Sequence, residues 1–154
     1  KEYAEIFDIE VAVIPGISSS IAVPSSQGIP LTKRGVNDSF WVITATKSNG
    51  TLSTDIELAA QSKATVVILM GVRKLPEIAA LFQNYDKSNL PVAVIQNGTT
   101  KKEKYVVGTM QTIVDQVNDA QIGTPGIIIA GEVVADHKEF KGRVLEYVSI
   151  HSNN

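Results

Sequence analysis

Apolar residues along the chain fall into short runs separated by amphipathic or turn-like segments. The runs at residues 9–14, 40–45, 66–70, 92–95 and 127–130 are rich in Val and Ile, and they are often apolar at successive positions. Strands covered on both faces read this way, so the pattern predicts a strand in each run. Between them the spacing turns helical. Leu75, Ile78, Ala79 and Phe82 follow the i, i+3, i+4, i+7 rule, with Pro76 tolerated in a first turn. Met110, Ile113, Val114 and Val117 repeat that spacing. Thr54 and Glu57 stand at capping-box separation ahead of Ile56, Ala59 and Ala60. Residues 18–27 predict a helix capped by Ser18, kinked at Pro24 and stopped by Gly28. Residues 145–150 add a last strand before a polar tail. The alternation predicts an α/β domain: a layered sheet of about five or more mainly buried strands flanked by helices.

Composition narrows the function classes. The chain has 154 residues, 44% hydrophobic and 19% charged, which suits one domain with a real core. A net charge of −2 argues against a nucleic-acid partner, and the high apolar content excludes disorder. No apolar run approaches the roughly 20 residues that span a bilayer, so no membrane role is expected. With no cysteine there is no disulfide framework, iron–sulfur cluster or thiol nucleophile. His137 and His151 are not at metal-ligand spacing, and no metal site is expected. The run Lys101, Lys102, Glu103, Lys104 reads as a solvated loop. Asp55 and Glu57 read as partners of a helix's positive end rather than as a proton-sharing pair.

The segments after the apolar runs suggest chemistry. Ile14 leads into Pro15, Gly16 and three serines; Leu69 into Met70, Gly71, Val72, Arg73 and Lys74. Ile95 leads into Gln96, Asn97, Gly98, Thr99 and Thr100, and Ile129 into Ala130, Gly131 and Glu132. Ligands of open α/β sheets bind outside the carboxyl ends of strands, where glycine lets them approach the backbone. Each feature also has a plain explanation. A glycine there is a turn residue, Met70 a core filler, and the serines a helix start. Only their concurrence points to a ligand. No GxSxG, GxGxxG or Walker loop accompanies them.

The tracts themselves are similar to a known family. Val13-Ile14-Pro15-Gly16-Ile17-Ser18-Ser19, Gly28-Ile29-Pro30-Leu31-Thr32-Lys33-Arg34 and Val66-Val67-Ile68-Leu69-Met70-Gly71 are the first three. Gln96-Asn97-Gly98-Thr99-Thr100, Val107-Gly108-Thr109 and Pro125-Gly126-Ile127-Ile128-Ile129-Ala130-Gly131-Glu132 complete the set. Their order and spacing resemble the tetrapyrrole methylase superfamily, and within it the uroporphyrinogen-III C-methyltransferases, including the methylase module of siroheme synthase. The resemblance implies two α/β domains with S-adenosyl-L-methionine in the cleft between them, S-adenosyl-L-homocysteine as product, and a cytoplasmic homodimer. It implies methylation of uroporphyrinogen III to precorrin-2, on the way to siroheme and cobalamin.

The family's Gly-Pro-Gly-Asp and Gly-Gly-Asp-Pro segments, and its proton-transfer residues, have no counterpart here. The resemblance therefore covers the carboxyl-terminal domain only. Residues 1–15 are expected to be the final strand and linker of an absent amino-terminal domain, and 16–154 the carboxyl-terminal domain. The start at Lys1 without a methionine reads as a cut, and the piece alone is expected to be inactive. Carried over residue by residue, Ser18, Ser19, Met70, Gly98, Pro125 and Gly126 are implied cofactor contacts. Gly126 departs from the usual Ala or Ser, and Gln96 from the commoner Glu. Arg34 and Arg73 are the expected partners of the substrate's carboxylates, ahead of Lys33 and Lys74. Other methylases of the superfamily, acting on precorrins or ribosomal RNA, and a non-catalytic dimerisation or ligand-binding module remain open.

Overall fold

Five strands form one mixed sheet: β1 (Phe40–Thr44), β2 (Thr65–Leu69), β3 (Pro91–Gln96), β4 (Lys104–Thr109) and β5 (Gly126–Ala130). The computed structural model describes residues 1–142, so the expected strand at 145–150 and His151 lie outside the described residues. The order across the sheet is β1-β2-β5-β3-β4. β1 and β2 are parallel, whereas β5 runs antiparallel to both β2 and β3, and β4 antiparallel to β3.

The central strands have almost no polar side chains because both faces are covered. One layer holds α3 (Asp55–Gln61), α4 (Leu75–Asn84) and α5 (Ile113–Asp119). It packs Ile56, Ile78, Phe82 and Ile113 on Val66, Ile68, Val92, Val94 and Ile128. The opposite layer holds α2 (Ser19–Ser26) and a 3-10 turn, Glu132–Asp136. There Val23, Ile29, Val133 and Val134 pack on Val67, Ala93, Ile95, Ile127 and Ile129. Alternate residues of each strand thus serve opposite cores, as the two-residue side-chain period requires. Fully burying one such aliphatic side chain is worth about 1.5–3 kcal/mol.

Helix ends follow local chemistry. Ser18 caps α2, its hydroxyl accepting the Ser20 N–H at 3.3 Å. At the other end Gly28, at φ +66°, donates to Ser25 O, and Ile29 donates to Pro24 O. That pair is a Schellman closure, and it needs a residue at ease in the left-handed region. The helix runs through Pro24 to Ser26. Pro76 occupies the first turn of α4.

Three expectations are corrected. Residues 9–14 are outside the sheet, and Val13 and Ile14 are 77% and 88% exposed. An apolar run is necessary for a buried strand but does not supply a partner. The capping box at Thr54 does not form: the Thr54 side chain makes no capping bond, Ser53 Oγ accepts the Asp55 N–H, and Glu57 instead accepts the Tyr85 hydroxyl at 2.8 Å. The charged run at 101–104 ends in a strand, because Lys104 opens β4 opposite Gln96. A short helix, α1 (Glu2–Glu5), precedes all of this. No helix among the described residues is long and apolar enough to cross a membrane.

Candidate cofactor cavity

Sheet direction decides which loops meet. The carboxyl ends of β1, β2 and β3 lie on one edge, and the antiparallel β5 contributes its amino end there, since Gly126 pairs with Gln96 and Ile127 with Leu69. Its other end, Ala130–Gly131, lies at the far edge, where Ala130 pairs with Val66 and Gly131 donates to Pro91 O. The expectation that the loop after Ile129 joins the other strand-end loops is therefore wrong. Pattern shows where a strand is, not which way it points. Residues 124–126 take that place.

Two adjoining concavities open on this edge. One, of about 310 Å³, is lined by Ser19 and Val23 of α2, Ile95, Asn97, Gly98 and Pro125. The other, of about 490 Å³, is lined by Thr46, Met70, Val72, Arg73, Lys74 and Thr124. Pro125 and Gly126 belong to both, so the two form one trough across the sheet edge. Its floor is apolar, with Leu69 and Ile127 beneath, and its rim is small or polar. That combination suits a ligand with an apolar body and a few polar groups.

Backbone geometry at the trough is unusual. Met70, Asn97 and Thr99 have φ of +53°, +51° and +66°. Asn tolerates that region, but Met and the β-branched Thr are held there at a cost of order 1–3 kcal/mol each. Asp8, Asp86 and Gln121 also have positive φ but do not line the trough; strain on loops that define a cavity is a common mark of a functional site. Met70 is 66% exposed, with its carbonyl accepting the Thr46 hydroxyl at 3.0 Å. The core-filler explanation of this methionine is excluded. Gly98 has a reason the sequence did not reveal: a Cβ there would stand 2.7 Å from Val23. A Cβ on Gly126 would meet Val72 Cγ2 at 2.9 Å and Ile95 O at 3.2 Å. Both glycines exist first to let the walls close.

Of the expected site residues, Ser19, Gly98, Pro125, Gly126, Met70 and Arg73 line this trough, and Ser18 is the cap beside Ser19. Arg34 is not among them. It sits in the turn closed by Lys33 and Asn37, whose Asn37 Nδ2 donates to Thr65 Oγ1 at the start of β2, on the far edge. Lys33 is engaged at 2.7 Å by Asp136, whose carboxyl Lys33 and Lys141 hold below its usual range. Lys74 pairs with Glu77 at 2.8 Å. Arg73, exposed on the rim, makes no ion pair among the described residues.

His137 is 2% exposed behind α2. Its Nδ1 accepts the Glu139 N–H and its Nε2 faces Gln27 Oε1, both at 3.3 Å, with Tyr105 edge-on to the ring. Burial holds its pKa below the ordinary value; Glu139 opposes that shift and Lys138 adds to it. The unfolded chain thus takes up the proton first. Stability from this site is complete above about pH 6.5 and falls as pH drops through the folded value. Melting temperatures measured from pH 8 to 5 should decline more steeply for the wild type than for His137→Gln; equal slopes would remove the histidine from the explanation.

The chain is similar to known proteins over most of its length. The profile of the tetrapyrrole (corrin/porphyrin) methylases matches residues 2–114. A uroporphyrinogen-III C-methyltransferase of Methanocaldococcus jannaschii is 40% identical over 129 residues, 82% of this chain and 53% of that protein. An S-adenosyl-L-methionine-dependent uroporphyrinogen III methyltransferase of Methanosarcina barkeri is 38% identical over 144 residues, 88% of this chain and 56% of that protein. Among solved structures, the Thermus thermophilus uroporphyrin-III C-methyl transferase complexed with S-adenyl homocysteine superposes with a TM-score of 0.70 at 26% identity. It matches 86% of this chain and 57% of its own. The chain spans about half the length of these two relatives, and little more than a quarter of longer ones such as the Bacillus subtilis uroporphyrinogen-III C-methyltransferase.

Proposed function

Since the chain belongs to the tetrapyrrole methylase family, we propose that it is the carboxyl-terminal, cofactor-binding half of a uroporphyrinogen-III C-methyltransferase. In this reading it works as a cytoplasmic homodimer and supplies precorrin-2 for siroheme or cobalamin. The observation that carries the proposal is the single trough in which Ser19, Met70, Gly98, Pro125 and Gly126 meet. The residues present fit S-adenosyl-L-methionine. The floor of Ile95, Leu69 and Ile127 offers apolar surface to an adenosyl group, and Met70 offers a soft, polarisable side chain beside it.

When bound, the cofactor supplies an activated methyl for in-line displacement by a substrate carbon, chemistry that asks for orientation and exclusion of water. This chain's residues hold one wall of that arrangement. Arg73, exposed on the rim and without an ion pair among the described residues, is placed to meet a substrate carboxylate with its planar fork. Arg34 has that role only if another subunit or domain carries the substrate to the far edge.

The opposite wall of the cleft would come from the amino-terminal domain, leaving residues 1–15 as the connection. Exposed Ile9, Val13, Ile14 and Ile17 support a covered surface there, because single chains rarely leave so much contiguous apolar side chain in water. The edge at β1, unpaired among the described residues and with Phe40, Trp41 and Val42 each more than a third exposed, supports pairing with a second copy. We expect these 154 residues alone to bind S-adenosyl-L-homocysteine and to turn over no uroporphyrinogen III. An assay with methyl-labelled cofactor checks this; turnover at the rate of a two-domain relative would overturn the half-cleft reading.

A further inference from the structure

The wall formed by residues 97–100 is tied to the wall formed by α2 through two side chains far apart in sequence. Glu103 Oε2 accepts the Thr99 N–H at 2.6 Å, and Glu103 Oε1 accepts Gln27 Nε2 at 2.5 Å. Gln27 is the residue that caps α2 at its carboxyl end, and Ser19 and Val23 of the same helix line the trough. The direction of the Gln27 amide is not arbitrary. His137 accepts the Glu139 N–H at Nδ1, which leaves its proton on Nε2, and that proton goes to Gln27 Oε1. The amide nitrogen of Gln27 is thereby turned toward Glu103.

We propose that Glu103 and Gln27 form a clamp that sets the 97–100 loop against α2, making both positioning residues for the cofactor trough; this rests on the cofactor reading above. Thr99 is β-branched and sits at φ +66°, a conformation it leaves unless something holds it. A carboxylate accepting its N–H is a charge-assisted bond of the strong class. Thr100 adds a local tie, its hydroxyl donating to Asn97 O at 2.7 Å, but that bond stays within the loop. Glu103 connects the loop to the helix that faces it across Gly98. Because the contact between Gly98 and Val23 leaves no slack, loss of the clamp moves both walls.

Four proteins test this in the full chain: the wild type, Glu103→Gln, Gln27→Glu, and the exchange Glu103→Gln with Gln27→Glu. Gln27→Glu places two carboxylates together and should weaken binding of S-adenosyl-L-homocysteine about tenfold, the equivalent of one charged hydrogen bond. Glu103→Gln keeps the acceptor for Thr99 but turns a donor on the Gln27 amide, and should weaken binding less. The exchange restores every donor–acceptor pair, because a carboxylate at position 27 accepts from His137 as well. It should return affinity to within about twofold of wild type. Hydrogen exchange at the Thr99 amide, which requires no ligand, should rise in Gln27→Glu and return in the exchange. Equal affinities and equal Thr99 exchange in all four overturn the clamp. A wild type that takes no S-adenosyl-L-homocysteine overturns the cofactor reading, with the Thr99 exchange still reporting on the tie itself.

Discussion

Replacing Gly98 by valine is expected to lower affinity for S-adenosyl-L-homocysteine at least about tenfold and to cost about 1–3 kcal/mol of stability, the range for overpacking a filled site. Even the first added carbon would stand 2.7 Å from both Cγ atoms of Val23, closer than nonbonded carbons approach. Val23 is 6% exposed and packed against Val67, Ala93 and Ile129, so it has nowhere to go. The strain is relieved by pushing α2 off the loop, which opens the trough at Ser19. Gly16→Ala is the matched control. A Cβ there meets nothing within 4 Å, and the change should stay within about 0.5 kcal/mol, as surface substitutions usually do. Calorimetric titration and thermal melts of the two variants check the contrast; a Gly98→Val protein with wild-type affinity would show that the closure of these walls is irrelevant to the ligand.

Met70 should separate stability from binding. At φ +53°, any residue with a Cβ bears the left-handed cost of about 1–2 kcal/mol, and glycine does not. Glycine also loses more chain entropy on folding, by about 0.5–1 kcal/mol, so the net gain lies between about 0 and 1.5 kcal/mol. Met70→Gly should therefore melt at or above the wild-type temperature, and Met70→Ala close to it. Both should weaken S-adenosyl-L-homocysteine binding about tenfold, because an exposed thioether on the trough's rim is removed. A Met70→Ala protein that melts much lower but binds normally would return this residue to the core, against its 66% exposure.

The legible parts of the fold are those with one physical cause. β2, β3 and β5 are visible in the sequence because both their faces are buried, and Val66, Val94 and Ile128 need no polar neighbours. α4 is visible because a single buried stripe runs through Ile78 and Phe82. β4 is hidden: its first residues are charged or half-buried, and Lys104 looks like loop when its partner Gln96 is not known. Residues 9–14 mislead for the opposite reason, being apolar without a covering layer among the described residues.

In the trough, the expected cofactor residues are recognisable as motifs, but their assembly is not. That Pro125 and Gly126 replace Gly131 at the ligand edge follows from the antiparallel direction of β5, which no periodicity encodes. The tie between Gln27 and Glu103 spans 76 positions and ends inside a run that reads as a solvated loop. Arg34 illustrates the converse. It stands in a motif, yet the fold carries it to the far edge of β2.

The most direct measurement is a titration of the isotopically labelled chain with S-adenosyl-L-homocysteine, followed by amide chemical shifts. Saturable changes are expected at Ser19, Met70, Gly98, Thr99 and Gly126, with Gly131 and Arg34 at the opposite edge unmoved. Saturable changes centred on Gly131 or Arg34, or none at the trough at millimolar ligand, would contradict the assignment of this sheet edge to the cofactor.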